Sequence, residues 1–254
     1  MVTNMQAVAA IYDIHGNLPA LEPVLDEIRG SGIAEIVVGG DVLPGPMPRE
    51  TLDRLLAIDP PVRFIMGNGD RAVLAQMRGR ETEEVPPPFR NVIRWTAQQL
   101  NAGHESVIAS WPAQLVLAIE PLGAVLFCHA TPRNDTEIFT RETSETRLLP
   151  VFGDVDANII VCGHTHMQFD RIIGGNHVVN AGSVGMPFGQ PGAHWLELGP
   201  GIQLRRTRYD LDAAAERIRG TAYPQAHDFA MGNVLRPPRE RQMLDAFPKA
   251  ELRS

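Results

Sequence analysis

The stretch FIMGNGDRA, residues 64–72, is an apolar run that stops at a turn carrying polar side chains. The same arrangement recurs in AAIYDIHGN at residues 9–17 and in IIVCGHTH at residues 159–166. Each run has the apolar character of a buried β-strand, and each turn places polar side chains directly after the strand. Because the carboxyl ends of parallel strands meet at one edge of an α/β sheet, we expect these turns to converge on a single site.

Strand and helix patterns alternate through the first third of the chain. Strand candidates at 6–12, 34–41 and 61–70 are separated by helical apolar spacing at 18–32 and 48–59, and a further helix follows from residue 71. This alternation predicts parallel strands joined by helical crossovers. Downstream, Pro-Leu-Gly, Gly-Gly-Asn and Gly-Pro-Gly turns between apolar runs predict antiparallel hairpins. The predicted class is therefore α/β with a mixed sheet region.

The length of 254 residues suits one domain with small additions. Residues 78–113, a charged and Pro-rich stretch followed by a helical pattern, are predicted to form a small cap insertion. Residues 225–254 are polar and contain proline, and they are predicted to form a C-terminal tail that is a surface helix or partly ordered.

Composition excludes several classes of partner. A net charge of −7 argues against binding of long nucleic acid through bulk electrostatics. No apolar stretch approaches the ~20 residues of a membrane span, and the N-terminal residues lack a signal-peptide pattern. Cys128 and Cys162 both lie in apolar runs, so a disulfide framework is not expected and a cytoplasmic location is predicted. Oligomeric state is left open.

Seven donor residues follow predicted strands and share one sheet edge. Nitrogen and oxygen donors without a cysteine pair suit Mn²⁺, Fe²⁺, Zn²⁺, Co²⁺ or Ni²⁺. Seven donors exceed what one such ion with an open position needs, but they suit two ions ~3.5–4 Å apart that hold a phosphoryl group between them. We expect the intervening glycines to let the backbone approach the substrate. The donors are Asp13, His15, Asp41, Asn68, His129, His164 and His166.

Each donor has a plainer interpretation when it is taken alone. Asp41 suits a loop cap, Asn68 followed by glycine suits a turn, and His129 suits a hydrogen-bonded buried histidine. These interpretations fail jointly, because each would have to place a donor at the same edge by coincidence.

Five motifs in order, DIHGN, GGDVLPGP, GNGD, FCHATP and GHTH, resemble those of the calcineurin-like metallophosphoesterases. A later segment, VVNAGSVGMP at 178–187, is similar to the small bacterial and archaeal phosphodiesterase branch. The resemblance implies a two-sheet αββα sandwich and a hydrolase in which a metal-bound hydroxide attacks a phosphodiester. It implies that Asp13, His15 and His166 bind one metal. Asp41 would bridge, and Asn68, His129 and His164 would complete the second site, with Mn²⁺ as the first choice of metal.

The third motif departs from the family, which usually has a histidine where this chain has Gly69. That histidine is assigned to orienting the substrate and to protonating the leaving oxygen, a general-acid effect typically worth ~10²–10⁴-fold. Three explanations are open. Another group substitutes, with Asp70 as the adjacent candidate and His104, His194 and His227 as weaker ones. Alternatively, the leaving group needs no proton, or catalysis is lost while the metals remain.

The leading hypothesis is a dimetal phosphoesterase acting on phosphodiester bonds, and also on monoesters, of a small or nucleotide-like substrate. In it Asp41, Asn68 and Asp70 are the candidate catalytic residues. The alternatives are a protein or small-molecule phosphomonoester phosphatase and a non-enzymatic metal-binding interaction scaffold, such as the retromer subunit that resembles this fold. In the predicted cap, Phe89 and Trp95 either stack on a base or pack the cap's own core.

Overall fold

The structure is a computed structural model that describes residues 7–80, 85–247 and 252. Its strands are β1 (Ala7–Ile11), β2 (Ile33–Val38), β3 (Val62–Phe64), β4 (Gln114–Ile119), β5 (Gly123–Cys128), β6 (Ile159–Cys162), β7 (Phe169–Ile173), β8 (Asn176–Asn180), β9 (Ala193–Leu198) and β10 (Ile202–Thr207). Its helices are α1 (Leu18–Arg29), α2 (Pro48–Leu56), α3 (Asn68–Met77), α4 (Pro87–Gln99), α5 (Ala102–Ala109), α6 (Glu145–Phe152), α7 (Leu211–Arg219), α8 (Ala226–Phe229) and α9 (Glu240–Ala246). A π-helical segment, Ala230–Leu235, continues directly from α8.

The strands form two five-stranded mixed sheets. The first has the order β10-β9-β1-β2-β3 and the second the order β4-β5-β6-β8-β7. Strands β1, β2 and β3 run parallel, as do β5, β6 and β8, while the hairpins β9-β10, β4-β5 and β7-β8 add antiparallel pairs. The predicted α/β sandwich with two sheets flanked by helices is confirmed.

Apolar residues fill three layers. Between the sheets, side chains such as Val8, Ala10 and Val37 of the first sheet pack with Phe127 and Val161 of the second. The outer face of the first sheet packs against α1, α2, α3, α4, α5 and α7. The outer face of the second sheet packs against α6. Alternating side chains along each strand supply both faces, as expected for strands buried on two sides.

Helix α3 begins earlier than the sequence pattern indicates. The predicted third strand extended to Asp70, but β3 ends at Phe64 and Asn68 is the first residue of α3. The Asp70 carboxylate accepts a hydrogen bond from the Gly67 N–H at 3.1 Å, which satisfies one of the free donors of the first turn. Asn68 and Gly69 therefore lie in a helical first turn.

The predicted cap region, residues 78–113, contains two helices where one was expected. Leu100 is extended, and the Asn101 side chain caps α5 by accepting from the His104 N–H at 3.0 Å. Val92, Ile93 and Ile108 join the core over the first sheet, so both helices belong to its helical layer. Part of the predicted exposed loop, residues 81–84, lies outside the described residues.

The first part of the segment predicted as a C-terminal tail is packed into the core. Ala226, Phe229, Ala230 and Val234 are buried beside α7. Their spacing places them on one helical face, a signal that the polar composition of the segment obscured. Among the described residues, no helix combines the length and the apolar character needed to cross a membrane.

Candidate metal centre

The two sheets bring the seven predicted donor residues to one place. The turns after β1 and β2 supply Asp13, His15 and Asp41, and the first turn of α3, after β3, supplies Asn68. The turns after β5 and β6 supply His129, His164 and His166. The convergence follows from the parallel strands, because their carboxyl ends face the same edge.

Five of these residues have a left-handed backbone. The φ angles are +52° at Asp13, +48° at His15, +51° at Asp41, +64° at His164 and +57° at His166. Within the described ranges, Leu252 is the one other non-glycine residue with positive φ. Such a conformation costs ~1–3 kcal/mol per residue and persists only where surrounding contacts impose it. The concentration of strain at these turns marks them as a site where geometry is held for a function.

Each of the two carboxylates has one oxygen fixed by a backbone N–H and the other directed at imidazoles. Asp13 Oδ2 accepts from the His164 N–H at 2.8 Å, and Asp41 Oδ1 accepts from the Gly69 N–H at 2.7 Å. Asp13 Oδ1 is buried and makes no hydrogen bond in the described part of the chain. It lies 3.4 Å from His166 Nε2. A buried carboxylate oxygen left without a donor is the atom that a cation would engage.

Two of the four imidazoles have one nitrogen hydrogen-bonded to a backbone carbonyl. His129 Nδ1 lies 3.0 Å from the Gly39 carbonyl and His166 Nδ1 lies 2.8 Å from the Met186 carbonyl. These bonds make Nδ1 the protonated nitrogen and leave Nε2 with a free lone pair toward the centre. The arrangement is the one that fixes histidine tautomers for metal binding.

Asn68 completes the donor set. Its Oδ1 lies 3.1 Å from His129 Nε2 and 3.1 Å from His164 Nδ1. In this orientation the oxygen faces only acceptors. Without a cation the amide gains hydrogen bonds by turning its nitrogen toward these atoms, whereas a cation among the three favours the oxygen. Asn68 therefore fits a ligand role together with these two imidazoles.

The remaining distances define two overlapping groups of ligand atoms. One contains Asp13, His15 and His166, and the other contains Asp13, Asp41 and His129, with the atoms of each group within 4.8 Å of one another. Asp41 Oδ2 lies 3.7 Å from His15 Nε2 and 3.6 Å from His129 Nε2, so it sits between the groups. His15 Nε2 and His166 Nε2 are 3.3 Å apart. The carboxylate and imidazole lone pairs of the two groups lie this close together, and this arrangement fits two divalent cations.

The electrostatics of three of the buried groups, His15, His164 and Asp41, agree with this fit. Burial lowers the pKa of His15 and of His164 to about 3, which keeps both imidazoles neutral, the form that binds metal. Burial raises the pKa of Asp41 to about 6, since its charge is costly without a strong counter-charge. A bound cation would provide that counter-charge.

Glycines allow the ligand turns to approach one another. A Cβ at Gly67 would lie 2.3 Å from Asp41 Oδ1, and a Cβ at Gly163 would lie 2.5 Å from Asp13 Oδ2. We expected these glycines to admit the substrate. Their contacts show that they admit neighbouring turns, so they are needed for assembly of the donor set.

Asp70 lies beneath the site and organises its backbone. Its carboxylate is fully buried and accepts from the N–H groups of Asp41 at 2.7 Å, Leu43 at 2.9 Å and Gly67 at 3.1 Å. Three charge-assisted bonds of this kind tie the turn after β2 to the first turn of α3. These contacts favour a positioning role for Asp70 over direct proton donation to a substrate.

Gly69 is enclosed by the turn that carries Asp41. A Cβ at this position would lie 2.4 Å from the Leu43 carbonyl oxygen and 3.0 Å from both Asp41 Oδ1 and Pro44 Cδ. The space that a side chain needs is therefore occupied by backbone. Of the other proposed proton donors, His104 contacts Asp53 at 2.9 Å, and neither it nor His194 or His227 is among the described residues that line the cavity beside the donors.

A cavity of about 510 Å³ opens onto the donor residues. His15, Asp41 and Asn68 form one end. Helix α4 and the segment from Tyr223 to Asn233 form the walls. Arg71 also lines the cavity, and its guanidinium makes two hydrogen bonds to the Asp135 carboxylate at 2.8 and 3.0 Å. The cavity gives a substrate access to the donors.

Three polar residues outside the donor set support its turns. Asn17 caps α1 by accepting from the Ala20 N–H at 3.2 Å. Asn180 donates to the Gly163 carbonyl at 2.7 Å, and Ser183 donates to the Asp13 carbonyl at 2.7 Å. Asn180 and Ser183 thus hold the backbone on which two of the donor turns depend.

Comparisons with known proteins agree with the geometry. The model of the calcineurin-like phosphoesterase superfamily domain matches residues 6–198. An uncharacterised protein of Methanocaldococcus jannaschii is 30% identical over 250 residues, covering 89% of this chain and 96% of its own.

Two solved structures share the fold. A metallophosphoesterase from Sphaerobacter thermophilus is 24% identical with a TM-score of 0.68, and the match covers 90% of this chain and 99% of that one. A hypothetical protein from Pyrococcus horikoshii is 20% identical with a TM-score of 0.75, covering 89% and 98%. At these identities the likeness bears on the fold alone.

Proposed function

Because the chain belongs to the calcineurin-like phosphoesterase superfamily, we propose that it is a dimetal-dependent phosphoesterase that hydrolyses phosphodiester bonds of a small or nucleotide-like substrate. One observation carries the proposal. Seven donor side chains converge at the strand ends, and the two carboxylates and two of the imidazoles, His129 and His166, are each held by the backbone with a free donor atom directed inward.

The residues that would hold the metals follow from the contacts. His15 and His166 would serve one ion, and Asn68, His129 and His164 the other, with Asp13 and Asp41 placed to contact both. Bound divalent ions would supply an activated water nucleophile at neutral pH and would neutralise charge on the phosphoryl oxygens. Imidazole and carboxylate donors suit Mn²⁺ first, with Fe²⁺, Zn²⁺, Co²⁺ and Ni²⁺ as alternatives.

The protein's own groups position the Asp41 carboxylate and the substrate. Asp70 fixes the backbone of Asp41, and the bond from the Gly69 N–H fixes the Asp41 carboxylate. The cavity would place a substrate against the donors. With Gly69 enclosed by the Leu43 carbonyl, position 69 provides no side chain to protonate the leaving oxygen. Substrates with stable leaving groups are therefore favoured.

The cavity favours a diester over a monoester. Its walls beyond the donor residues leave room for a second esterified group. A monoester dianion would gain from additional cations, and the guanidinium of Arg71 is already bound by Asp135. Phosphomonoester hydrolysis is the second candidate activity. The intact donor set argues against a purely non-enzymatic scaffold.

We also propose a cellular location and a size class of substrate. Cys128 and Cys162 are buried and unpaired, which supports a reducing, cytoplasmic location. The net charge of −7 favours small phosphoester substrates over long nucleic acid.

The test compares two chromogenic esters after chelation and reloading of the protein. We expect Mn²⁺-loaded protein to hydrolyse bis-p-nitrophenyl phosphate with a higher kcat/KM than p-nitrophenyl phosphate, and the chelated protein to hydrolyse neither. A preference for the monoester would select the phosphatase alternative. Absence of turnover of both esters by fully metallated protein would refute the enzymatic proposal for such esters.

A further inference from the structure

The wall of the cavity formed by α4 carries an exposed aromatic side chain. Phe89 lines the cavity and is 53% exposed, while Val92 and Ile93 on the same helix are buried beside it. Among the described residues, Phe89 is the only aromatic one with such exposure, and its ring contacts no other aromatic ring. An exposed ring beside a ligand cavity is available to stack on a flat ligand.

A second part of the cavity lining is aromatic and packs against α4. The Tyr223 ring packs edge-on against Trp95 at 5.4 Å and against Phe229 at 6.0 Å. Trp95 is thereby committed to packing, which leaves Phe89 as the stacking candidate of the cap. Phe89 and Phe229 therefore give the cavity an apolar lining beside the donor residues.

Polar side chains lie at the part of the cavity formed by α8 and by the π-helical segment that follows it. Asn233 and Asp228 both line it, and within the described residues neither side chain makes a hydrogen bond or an ion pair. Asn233 belongs to the π-helical segment Ala230–Leu235, a rare backbone form that often occurs at functional sites. An amide and a carboxylate together offer a donor and acceptors to the edge of a ring.

The charges of the lining residues disfavour a second anionic group. Beyond the donor residues, the charged side chains among the described lining residues are Arg71, which Asp135 holds, and Asp228, which is negative. A second phosphate or a carboxylate would face Asp228 without a free cation. The lining therefore suits an uncharged, flat group that can donate hydrogen bonds.

We propose that this cavity binds the nucleobase of a nucleotide-derived phosphodiester, with Phe89 stacking on the base and Asn233 and Asp228 hydrogen-bonding to its edge. The proposal rests on the phosphodiesterase function proposed above and adds the part of the substrate that does not react. It assigns the recognition of the base to α4 and the π-helical segment.

The experiment uses three diesters that share p-nitrophenolate as the leaving group. Their second groups are methyl, phenyl and thymidine 5′-yl, so differences in kcat/KM report on the cavity and not on the leaving group. We expect kcat/KM to rise in the order methyl, phenyl, thymidine. Phe89→Ala should reduce the advantage of the thymidine ester over the methyl ester by roughly 5- to 150-fold, the range measured when an aromatic stacking partner is removed. Asn233→Ala should reduce the advantage of the thymidine ester over the phenyl ester.

The control is Leu149→Ala, because Leu149 is a similarly exposed apolar side chain, 42%, on α6 at the other face of the molecule. It should leave all three constants unchanged. A second readout is independent of hydrolysis: saturation-transfer NMR of thymidine with metal-free protein should show transfer to the base, and Phe89→Ala should abolish it.

The outcomes separate the two proposals. If none of the three esters is hydrolysed but thymidine binds in a Phe89-dependent way, the hydrolytic function fails and the base site stands. Equal constants for the methyl and thymidine esters, with no saturation transfer, would overturn the base site while leaving hydrolysis intact. Equal constants for the phenyl and thymidine esters would overturn the assignment of a nucleobase.

Discussion

Gly69→His puts the histidine usual in the family back into the third motif, and we expect it to lower activity. General-acid help would by itself raise the rate ~10²–10⁴-fold. The structure provides no space for the side chain, because a Cβ at position 69 lies 2.4 Å from the Leu43 carbonyl oxygen. That oxygen belongs to the turn that carries Asp41, so relief of the clash moves a proposed metal ligand.

The magnitude follows from the contact. A comfortable carbon–oxygen separation is about 3.3 Å, so the turn and the helix must separate by about 1 Å. Overpacking of this kind costs ~1–3 kcal/mol of stability. A displacement of about 1 Å in a catalytic group costs ~10²-fold in rate. The hydrogen bond from the Gly69 N–H to Asp41 Oδ1, at 2.7 Å, joins the same turn and helix, so their separation would also disturb it. We therefore expect kcat/KM to fall by about 10²-fold.

The assay measures kcat/KM for bis-p-nitrophenyl phosphate, metal content and thermal stability together. Gly69→Ala separates the clash from the imidazole and should show the same loss. Gly30→Ala is the matched control, because a Cβ at Gly30 meets no atom within 4 Å and its φ of −100° suits alanine. A Gly69→His protein with full metal content and a kcat/KM above that of the original chain would refute the reasoning.

Three further predictions concern the same centre. Asp41→Ala and Asn68→Ala should each lose bound metal and diesterase activity together, as metal analysis and kinetics on one sample would show; activity retained in both would exclude the proposed donor set. Asp70→Asn replaces an oxygen that accepts a backbone N–H with an amide donor, so the free energy of unfolding of the metal-free protein should fall by about 3 kcal/mol, and an unchanged urea midpoint would contradict the positioning role. Across a series of aryl phosphodiesters, log kcat/KM should fall steeply as the pKa of the leaving phenol rises, whereas a flat dependence would reveal a proton donor that the structure does not place at Gly69.

The convergence of the donor turns was predictable from the sequence. Polar residues directly after apolar runs, as at Asp13 and His164, indicate strand ends, and parallel strands bring such ends together whatever the details of packing. The hairpins were equally readable, since Gly-Gly-Asn and Gly-Pro-Gly set their turns. These features depend on local patterns and on one general rule of topology.

Features that depend on contacts between distant segments were not predictable. The enclosure of Gly69 requires the position of the Leu43 carbonyl, 26 residues away in sequence. The burial of Phe229 and Val234 requires the surface of α7, which a polar composition does not disclose. The break between α4 and α5 was partly local, because Asn101 is a good helix cap, but the apolar spacing on both sides concealed it.

The left-handed backbone at the ligand turns also determines which substitutions would stabilise the fold at these positions. Aspartate and histidine at positions 13, 15, 41, 164 and 166 adopt a backbone form that glycine adopts without strain. A descendant released from selection for metal binding would therefore gain stability by replacing these residues with glycine, while its strands and helices stayed as they are. A relative that has the same fold but glycine at several of these turns would therefore have kept the fold and lost metal binding.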